Sequence, residues 1–271
     1  MQTDQPIRAK KSLGQNFLKD QKTLDTIVGA VIQGMPVLEI GPGKGALTKR
    51  LLRAGHTVLA IEKDHRLIEP LQELFANEIA LGQLKLIEGD ALVDTPDQLG
   101  LKTGEFQVVA NLPYYITGLY LRETFESQVQ PHQIILLLQQ EVVDRIVAAD
   151  GRESILSISV KLYGTVRKLC NVKRKHFSPA PKVDSAVLQV TDISKTRLEQ
   201  SGIIEEQLFS VVKAGFANKR KTLVNNLKQY PGVQKVLKKL DLDEKIRPEK
   251  LTLDQWLQLI QSISCSTHDT R

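Results

Sequence analysis

The residues whose types most directly suggest chemistry are Asn111, Leu112, Pro113 and Tyr114. An apolar run over residues 106–110 leads into them, which places all four at the end of a strand. Pro113 stiffens the backbone, Asn111 offers a donor and an acceptor, and Tyr114 supplies a stacking face. That set suits an exocyclic amine on a flat ring, such as the N6 of adenine. The lone pair of such an amine is delocalised into the ring. It becomes nucleophilic when its hydrogens are held by acceptors and the nitrogen is drawn toward tetrahedral geometry. The Asn111 side-chain oxygen and the Leu112 carbonyl are suited to accept those hydrogens, and no dedicated general base is required. The alternative is that Asn-x-Pro-Tyr is only a tight turn.

A second constellation begins at residue 37, V-L-E-I-G-P-G-K-G, where an apolar run breaks into three alternating glycines. Gly41, Gly43 and Ala46 satisfy the G-x-G-x-x-G/A dinucleotide pattern, so an NAD or FAD site has to be weighed. Glu39 two residues before the first glycine, the additional Gly45 and the long preceding segment count against it. The E-x-G-x-G-x-G arrangement instead resembles the S-adenosylmethionine loop of Rossmann-like methyltransferases, where the glycines let the backbone approach the methionine part of the cofactor. Glu62 ends a second apolar run, 21 residues after Gly41. A carboxylate there can accept hydrogen bonds from vicinal ribose hydroxyls, or can be a surface acid paired with Lys63. Asp90 ends a third run, where it can take a hydrogen bond from an adenine amino group while Ala91 and Leu92 pack on the ring. It can equally be part of an ordinary Gly-Asp turn.

These residues need a scaffold that brings strand ends together. Short apolar runs at 37–40, 57–61, 84–88, 106–110 and 133–138 alternate with amphipathic stretches at 46–53, 65–75, 119–125 and 141–148. The pattern predicts parallel strands joined by helices, with ligands at the carboxyl ends of the strands. A helix is expected over 154–163. A hairpin of 165–172 and 183–190 is expected to close the sheet edge, with K-R-K-H-F-S-P-A-P-K between them as a stiff, exposed, irregular loop. Residues 191–201 read as a linker, and from 203 onward only helical spacing remains. The fold class expected is thus α/β with a small all-helical C-terminal domain, divided at residues 193 and 194. Before the first strand, residues 12–18 (S-L-G-Q-N-F-L) read either as a helix lead-in docking Phe17 and Leu18 on the core or as a lid carrying polar side chains across a pocket. Residues 1–11 read as a loose basic arm.

Bulk composition narrows the partners. The chain has 271 residues, 41% of them hydrophobic and 25% charged, which is a folded globular protein rather than a disordered one. A net charge of +6 and a pI near 9.2 mildly favour a polyanionic partner such as nucleic acid. Cys170 and Cys265 are too few for a disulfide framework or a zinc site, so a reducing cytoplasmic setting and no metal are expected. No run approaches membrane-spanning length. Lys173, Arg174 and Lys175, with Arg8, Lys10 and Lys11, could contact phosphates or simply be solvated. Phe177 among them could stack on an unpaired base or plug the loop onto the core. The segment 216–227, F-A-N-K-R-K-T-L-V-N-N-L, reads as bases crowded at a helix start, in conflict with the helix dipole unless an anion relieves it.

Taken together, K-K-S-L-G-Q-N-F-L (10–18), E-I-G-P-G-K-G-A-L-T (39–48), A-I-E-K-D (60–64), G-D-A-L (89–92), N-L-P-Y-Y-I-T (111–117), F-S-P-A-P-K-V-D-S-A-V (177–187) and the basic 216–227 segment closely resemble the ribosomal RNA adenine N6,N6-dimethyltransferases of the KsgA type. The resemblance runs nearly end to end. It implies a Rossmann-like class I methyltransferase sheet and S-adenosylmethionine as cofactor. The implied substrate is a pair of adjacent adenosines in the hairpin loop near the 3′ end of small-subunit rRNA, within an assembling small ribosomal subunit, and a monomer is expected. By position, Asn16 and Leu18 would line the cofactor site from the lid. Gly41 and Gly43 would approach the methionine end, Glu62 would hold the ribose, and Asp90 with Ala91 would hold the adenine. Asn111, Leu112, Pro113 and Tyr114 would surround the reacting nitrogen, with Phe177 stacking on the target base. The rivals are a large-subunit rRNA adenine N6-methyltransferase of the antibiotic-resistance type, a non-catalytic assembly factor and a dehydrogenase.

Overall fold

A computed structural model describes residues 7–148 and 151–268, without the side chains of Lys11 and of residues 264–268. Residues 1–6 of the expected arm, and the Lys11 and Cys265 side chains, therefore lie outside it. A short strand β1 (Phe17–Leu18) precedes helix α1 (Gln21–Gly29). Asp20 sets the start of α1 by accepting hydrogen bonds from the Thr23 amide at 2.9 Å and its hydroxyl at 2.6 Å. Strands and helices then alternate: β2 (Val37–Ile40), α2 (Ala46–Arg53), β3 (Val58–Glu62), α3 (Ile68–Leu74), α4 (Ala76–Ala80), β4 (Leu84–Glu88), β5 (Gln107–Asn111), α5 (Thr117–Glu126), β6 (Gln133–Gln139) and α6 (Gln140–Ile146). The helix expected over 65–75 is split, a 3-10 turn at His65–Leu67 preceding α3. Pro70, which has no amide hydrogen to give, is thereby kept in the first turn of the α-helix.

Next come α7 (Ile155–Tyr163), β7 (Thr165–Val172), the two-residue β8 (Phe177–Ser178) and β9 (Ser185–Thr191). Helix α7 forms despite its β-branched residues because Ser154 and Ser157 make a reciprocal capping box. After β9 the described chain is helical: α8 (Thr196–Ser201), α9 (Glu205–Gly215), α10 (Leu223–Asn226), α11 (Val233–Lys239) and α12 (Leu253–His268).

The main sheet has seven strands in the order β4-β3-β2-β5-β6-β9-β7. The first five run parallel, and β9 and β7 close that end antiparallel, as the expected hairpin. Ile134 to Leu138 of β6 are at most 1% exposed, which is why this strand reads as an unbroken apolar run rather than an alternating one. The polar residues at its amino-terminal end are paired: Gln133 donates to Gln107 at 2.7 Å and accepts from Gln189 at 2.8 Å. Three buried glutamines on three strands thus satisfy one another.

Three expectations are refined. The linker expected over 191–201 is only residues 192–195, between the end of β9 at Thr191 and the start of α8 at Thr196, and the division between compact units falls within it. The segment between β7 and β9 is not an irregular exposed loop throughout. It holds a 3-10 turn at Arg174–His176, and β8 pairs antiparallel with β1. Finally, Lys219, Arg220 and Lys221 stand at a helix start as expected, in the exposed turn immediately before α10, whose first turn Thr222 caps; α10 is only four residues long, so the dipole they oppose is small.

The chain divides into two compact units, Met1–Val143 with Thr165–Ile193, and Asp144–Gly164 with Ser194–Arg271. This differs from a single cut after residue 193, because α7 groups with the C-terminal helices. The first unit is centred on a core that includes Val37, Leu51, Ala60, Val109, Ile135 and Val187. The second has its own core, in which Trp256 is fully buried and stacks on Phe216 with ring centroids 5.6 Å apart. Gly215 makes room for that indole, since a Cβ there would stand 2.4 Å from its ring. Within the same unit the buried Glu153 carboxylate is paired with Lys161 at 2.5 Å and receives the Ser157 hydroxyl at 2.5 Å.

Candidate active site

The carboxyl ends of β2, β3, β4 and β5 open on a cavity of about 480 Å3. The turn after β2 forms its floor, and two of its glycines are needed for different reasons. Gly41 has φ 66°, and a Cβ there would meet nothing within 4 Å, so its backbone is bare toward open space that a ligand can approach. Gly43 has φ 61°, and a Cβ there would lie 2.9 Å from the Phe17 ring, so it is the seat of the lid.

Beneath the turn, Glu39 is 2% exposed and its Oε2 has no hydrogen-bond partner among the described residues. Burial, helped by the nearby Glu62 charge, pushes its carboxyl up to about 7, although Thr48 beside it favours the ionised form. Glu62, at the end of β3, is 5% exposed and is no surface acid. Its Oε2 accepts from the Gly43 amide at 3.0 Å and its Oε1 from the Asp64 amide at 2.9 Å, which fixes the carboxylate in the cavity wall. Burial raises its pKa and those two amides oppose the rise.

Asp90 stands at the end of β4 with Ala91 and Leu92, all on the cavity wall. Its Oδ2 pairs with Lys63 at 2.5 Å and its Oδ1 accepts from the Leu92 amide at 3.1 Å. Burial pulls this carboxyl up, but the ammonium and the amide together outweigh it and leave it below the usual range. Lys63 is thus the partner of Asp90 rather than of Glu62.

At the end of β5 the Asn111 amide is oriented from across the cavity. Its Nδ2 donates to the Asn16 carbonyl at 2.8 Å, which leaves Oδ1 as the acceptor, with no hydrogen bond from the described residues. Leu112 and Pro113 continue the wall, and Tyr114 is held by a 2.7 Å hydrogen bond between its hydroxyl and Ser185. Burial raises the Tyr114 pKa, so the ring is a neutral stacking surface.

The expected lid closes one side, and its residues 13–18 line the cavity. Leu18 is buried in the core and Phe17 lies on Gly43 with the Lys44 ammonium 5.3 Å above its ring, so docking and covering are the same act. Gln15 donates to Asp64 at 2.8 Å on one flank. On the other, Leu18 pairs with Phe177, the Lys19 amide donates to the His176 carbonyl at 2.8 Å, and His176 Nδ1 stands 2.9 Å from Asp20.

Asn16, Leu18, Gly41, Gly43, Glu62, Asp90, Ala91, Asn111, Leu112, Pro113 and Tyr114 therefore share one cavity wall. Phe177 does not join them. It is 5% exposed and belongs to the hydrophobic core, the plug rather than the stacking face, because its backbone is tied to Leu18. Glu39, Lys63 and Tyr115 line the same cavity and were not among the expected site residues. The signal for Glu39 was an acid inside a strand with apolar neighbours. The arrangement fits a cationic nucleoside: an orphaned buried carboxylate oxygen under a bare glycine backbone, and two further carboxylates at successive strand ends. Among the described residues no cluster could hold a metal ion.

A family model described as ribosomal RNA adenine dimethylase matches residues 7–264. Among curated relatives, a ribosomal RNA small subunit methyltransferase A from Dehalococcoides mccartyi is 36% identical over 93% of this chain and 88% of its own length. The same-named protein of Lactobacillus johnsonii is 40% identical over 93% and 90%. Among solved structures, a dimethyladenosine transferase from Plasmodium falciparum superposes with a TM-score of 0.76 at 26% identity, covering 93% of this chain and 98% of that one. The 23S rRNA methyltransferase ErmE does so with 0.74 at 26% identity, covering 92% and 100%. The sheet is that of a Rossmann-like methyltransferase, and the chain belongs to the ribosomal RNA adenine dimethylase family, enzymes whose methyl donor is S-adenosylmethionine.

Proposed function

We propose that this protein dimethylates N6 of two adjacent adenosines in the 3′-terminal hairpin loop of small-subunit rRNA, acting as a cytoplasmic monomer on an assembling small subunit. The names of its sequence relatives support the small-subunit address, and its excess of basic residues suits an RNA partner. No described helix is long and apolar enough to cross a membrane.

The observation that carries the chemistry is the oriented Asn111 amide. With Nδ2 committed to the Asn16 carbonyl, Oδ1 stays aimed as an acceptor for one hydrogen of an incoming amine, and the Leu112 carbonyl can take the other. Tyr114, anchored by Ser185, offers the ring of that amine a face. Gly41 and Gly43 would lie along the methionine part of S-adenosylmethionine, and Glu39 would ionise to meet its ammonium group. Glu62 would accept from the ribose hydroxyls and Asp90 from the adenine amino group, with Ala91 against the ring and Asn16 and Leu18 covering the site. The bound cofactor supplies a methyl group already activated by the charge of its sulfonium. The residues then contribute position, desolvation and acceptors for the amine, and no metal or general base is needed before transfer.

Replacing Asn111 by alanine tests this assignment. Cofactor binding by calorimetry is expected to stay, while methyl transfer falls by at least about a hundred-fold, the usual effect of removing one preorganised hydrogen-bond partner of the reacting group. Unchanged turnover would refute the role. The likeness to ErmE favours a second reading, methylation of large-subunit rRNA, which the same catalytic residues would serve. Transfer to 23S rRNA alone would select it.

A further inference from the structure

Two consecutive tyrosines at the end of β5 have opposite environments. Tyr114 is half-buried and bonded to Ser185, whereas Tyr115 is 65% exposed while still lining the cavity. Both belong to the 3-10 turn Tyr114–Ile116, and the Ile116 amide donates to the Pro113 carbonyl at 3.1 Å, so the backbone is committed to this division. The exposed ring is braced as well as open. A Cβ built on Gly14 of the lid would stand 3.3 Å from Tyr115 Cε1, so lid backbone abuts one ring edge. Leu119, early in the following helix α5, is 48% exposed. The Lys63 ammonium, on the lining of the same cavity, is held by Asp90 at 2.5 Å. The other candidate faces are committed: Phe177 is buried in the core, and Phe17 lies against Gly43 under Lys44.

An open aromatic face, braced at one edge and set at the mouth of a cavity that also carries a lysine, is the make-up of a site for an unpaired nucleotide. The geometry points to Tyr115 as the stacking platform for the nucleotide next to the one whose base enters the cavity. This rests on the rRNA adenine reading of the same cavity and adds a place for the second base: the neighbour waits on Tyr115 outside while the target lies against Tyr114 inside.

The test compares wild type with Tyr115→Ala, Tyr115→Phe and Tyr115→Trp on small-subunit particles with S-adenosylmethionine, and measures KM for the particle beside the cofactor Kd. Removing the ring is expected to raise the particle KM about five- to a hundred-fold, the usual effect of losing one base stack. The phenylalanine and tryptophan variants are expected to stay near wild type, and the cofactor Kd to stay unchanged throughout. Tyr115→Ala with an unaltered particle KM, Tyr115→Phe as impaired as Tyr115→Ala, or a parallel loss of cofactor affinity would each overturn the platform. A wild-type protein that leaves these particles unmethylated would instead overturn the substrate assignment on which the platform rests.

Discussion

Glu39 is a carboxyl that the fold buries without a full set of partners. Its carboxyl is held at about 7 against an ordinary 4.5 because burial disfavours the charge. Below pH 4.5 the folded and unfolded chains both hold the proton and nothing is lost. As pH rises toward 7 the unfolded chain releases it while the fold retains it, so the cofactor-free protein loses stability, on the order of 3 kcal/mol in all. Glu39→Gln is expected to abolish that loss in urea melts taken across this range, and an equal slope in the variant would contradict it. The same residue predicts that cofactor affinity in the wild type rises with pH up to about 7, as the carboxylate becomes available to pair with an ammonium. Sequence showed an acid in an apolar strand two residues before the glycines. The orphaned oxygen was not legible, because it depends on where Thr48 comes to rest, a matter of how α2 packs.

At the scale of elements, the glycine turn and the lid form one device. Gly41→Ala puts a methyl into open space at a positive φ, so the fold should lose only about 1–2 kcal/mol while cofactor binding is impaired by the intruding group. Gly43→Ala collides with Phe17 and is expected to lift the lid, which limited proteolysis within residues 10–18 would report. If Gly43→Ala leaves this segment as protected as in the wild type, the lid is not seated there. The alternating strands and helices, and the carboxylates at their ends, were legible because apolar runs of four to seven residues declare themselves. The β1–β8 ladder was not, since two residues carry no periodicity. For the same reason Phe177, set among bases and prolines, could be read as a stacking face or as a plug, and the pairing of its backbone with Leu18 and the burial of its ring decide for the plug.

At the scale of the whole chain, sequence order and compact units disagree. Helix α7 packs on α8 and α12, so a chain ending at residue 193 would leave this helix, with its buried apolar residues, without those partners. Such a fragment is expected to self-associate in sedimentation, and a monodisperse, stable fragment would show that α7 does not need the C-terminal helices. Likeness to both a dimethyladenosine transferase and a 23S rRNA methyltransferase means that fold alone does not choose the RNA. The choice is open to one direct measurement: the masses, and then the mapped positions, of modified nucleosides after the protein and S-adenosylmethionine are incubated with small-subunit particles and, separately, with large-subunit rRNA. N6,N6-dimethyladenosine at two adjacent positions near the 3′ end of the small-subunit RNA is the expected product. Methylated adenosine on the large-subunit RNA alone, or none on either, would contradict it.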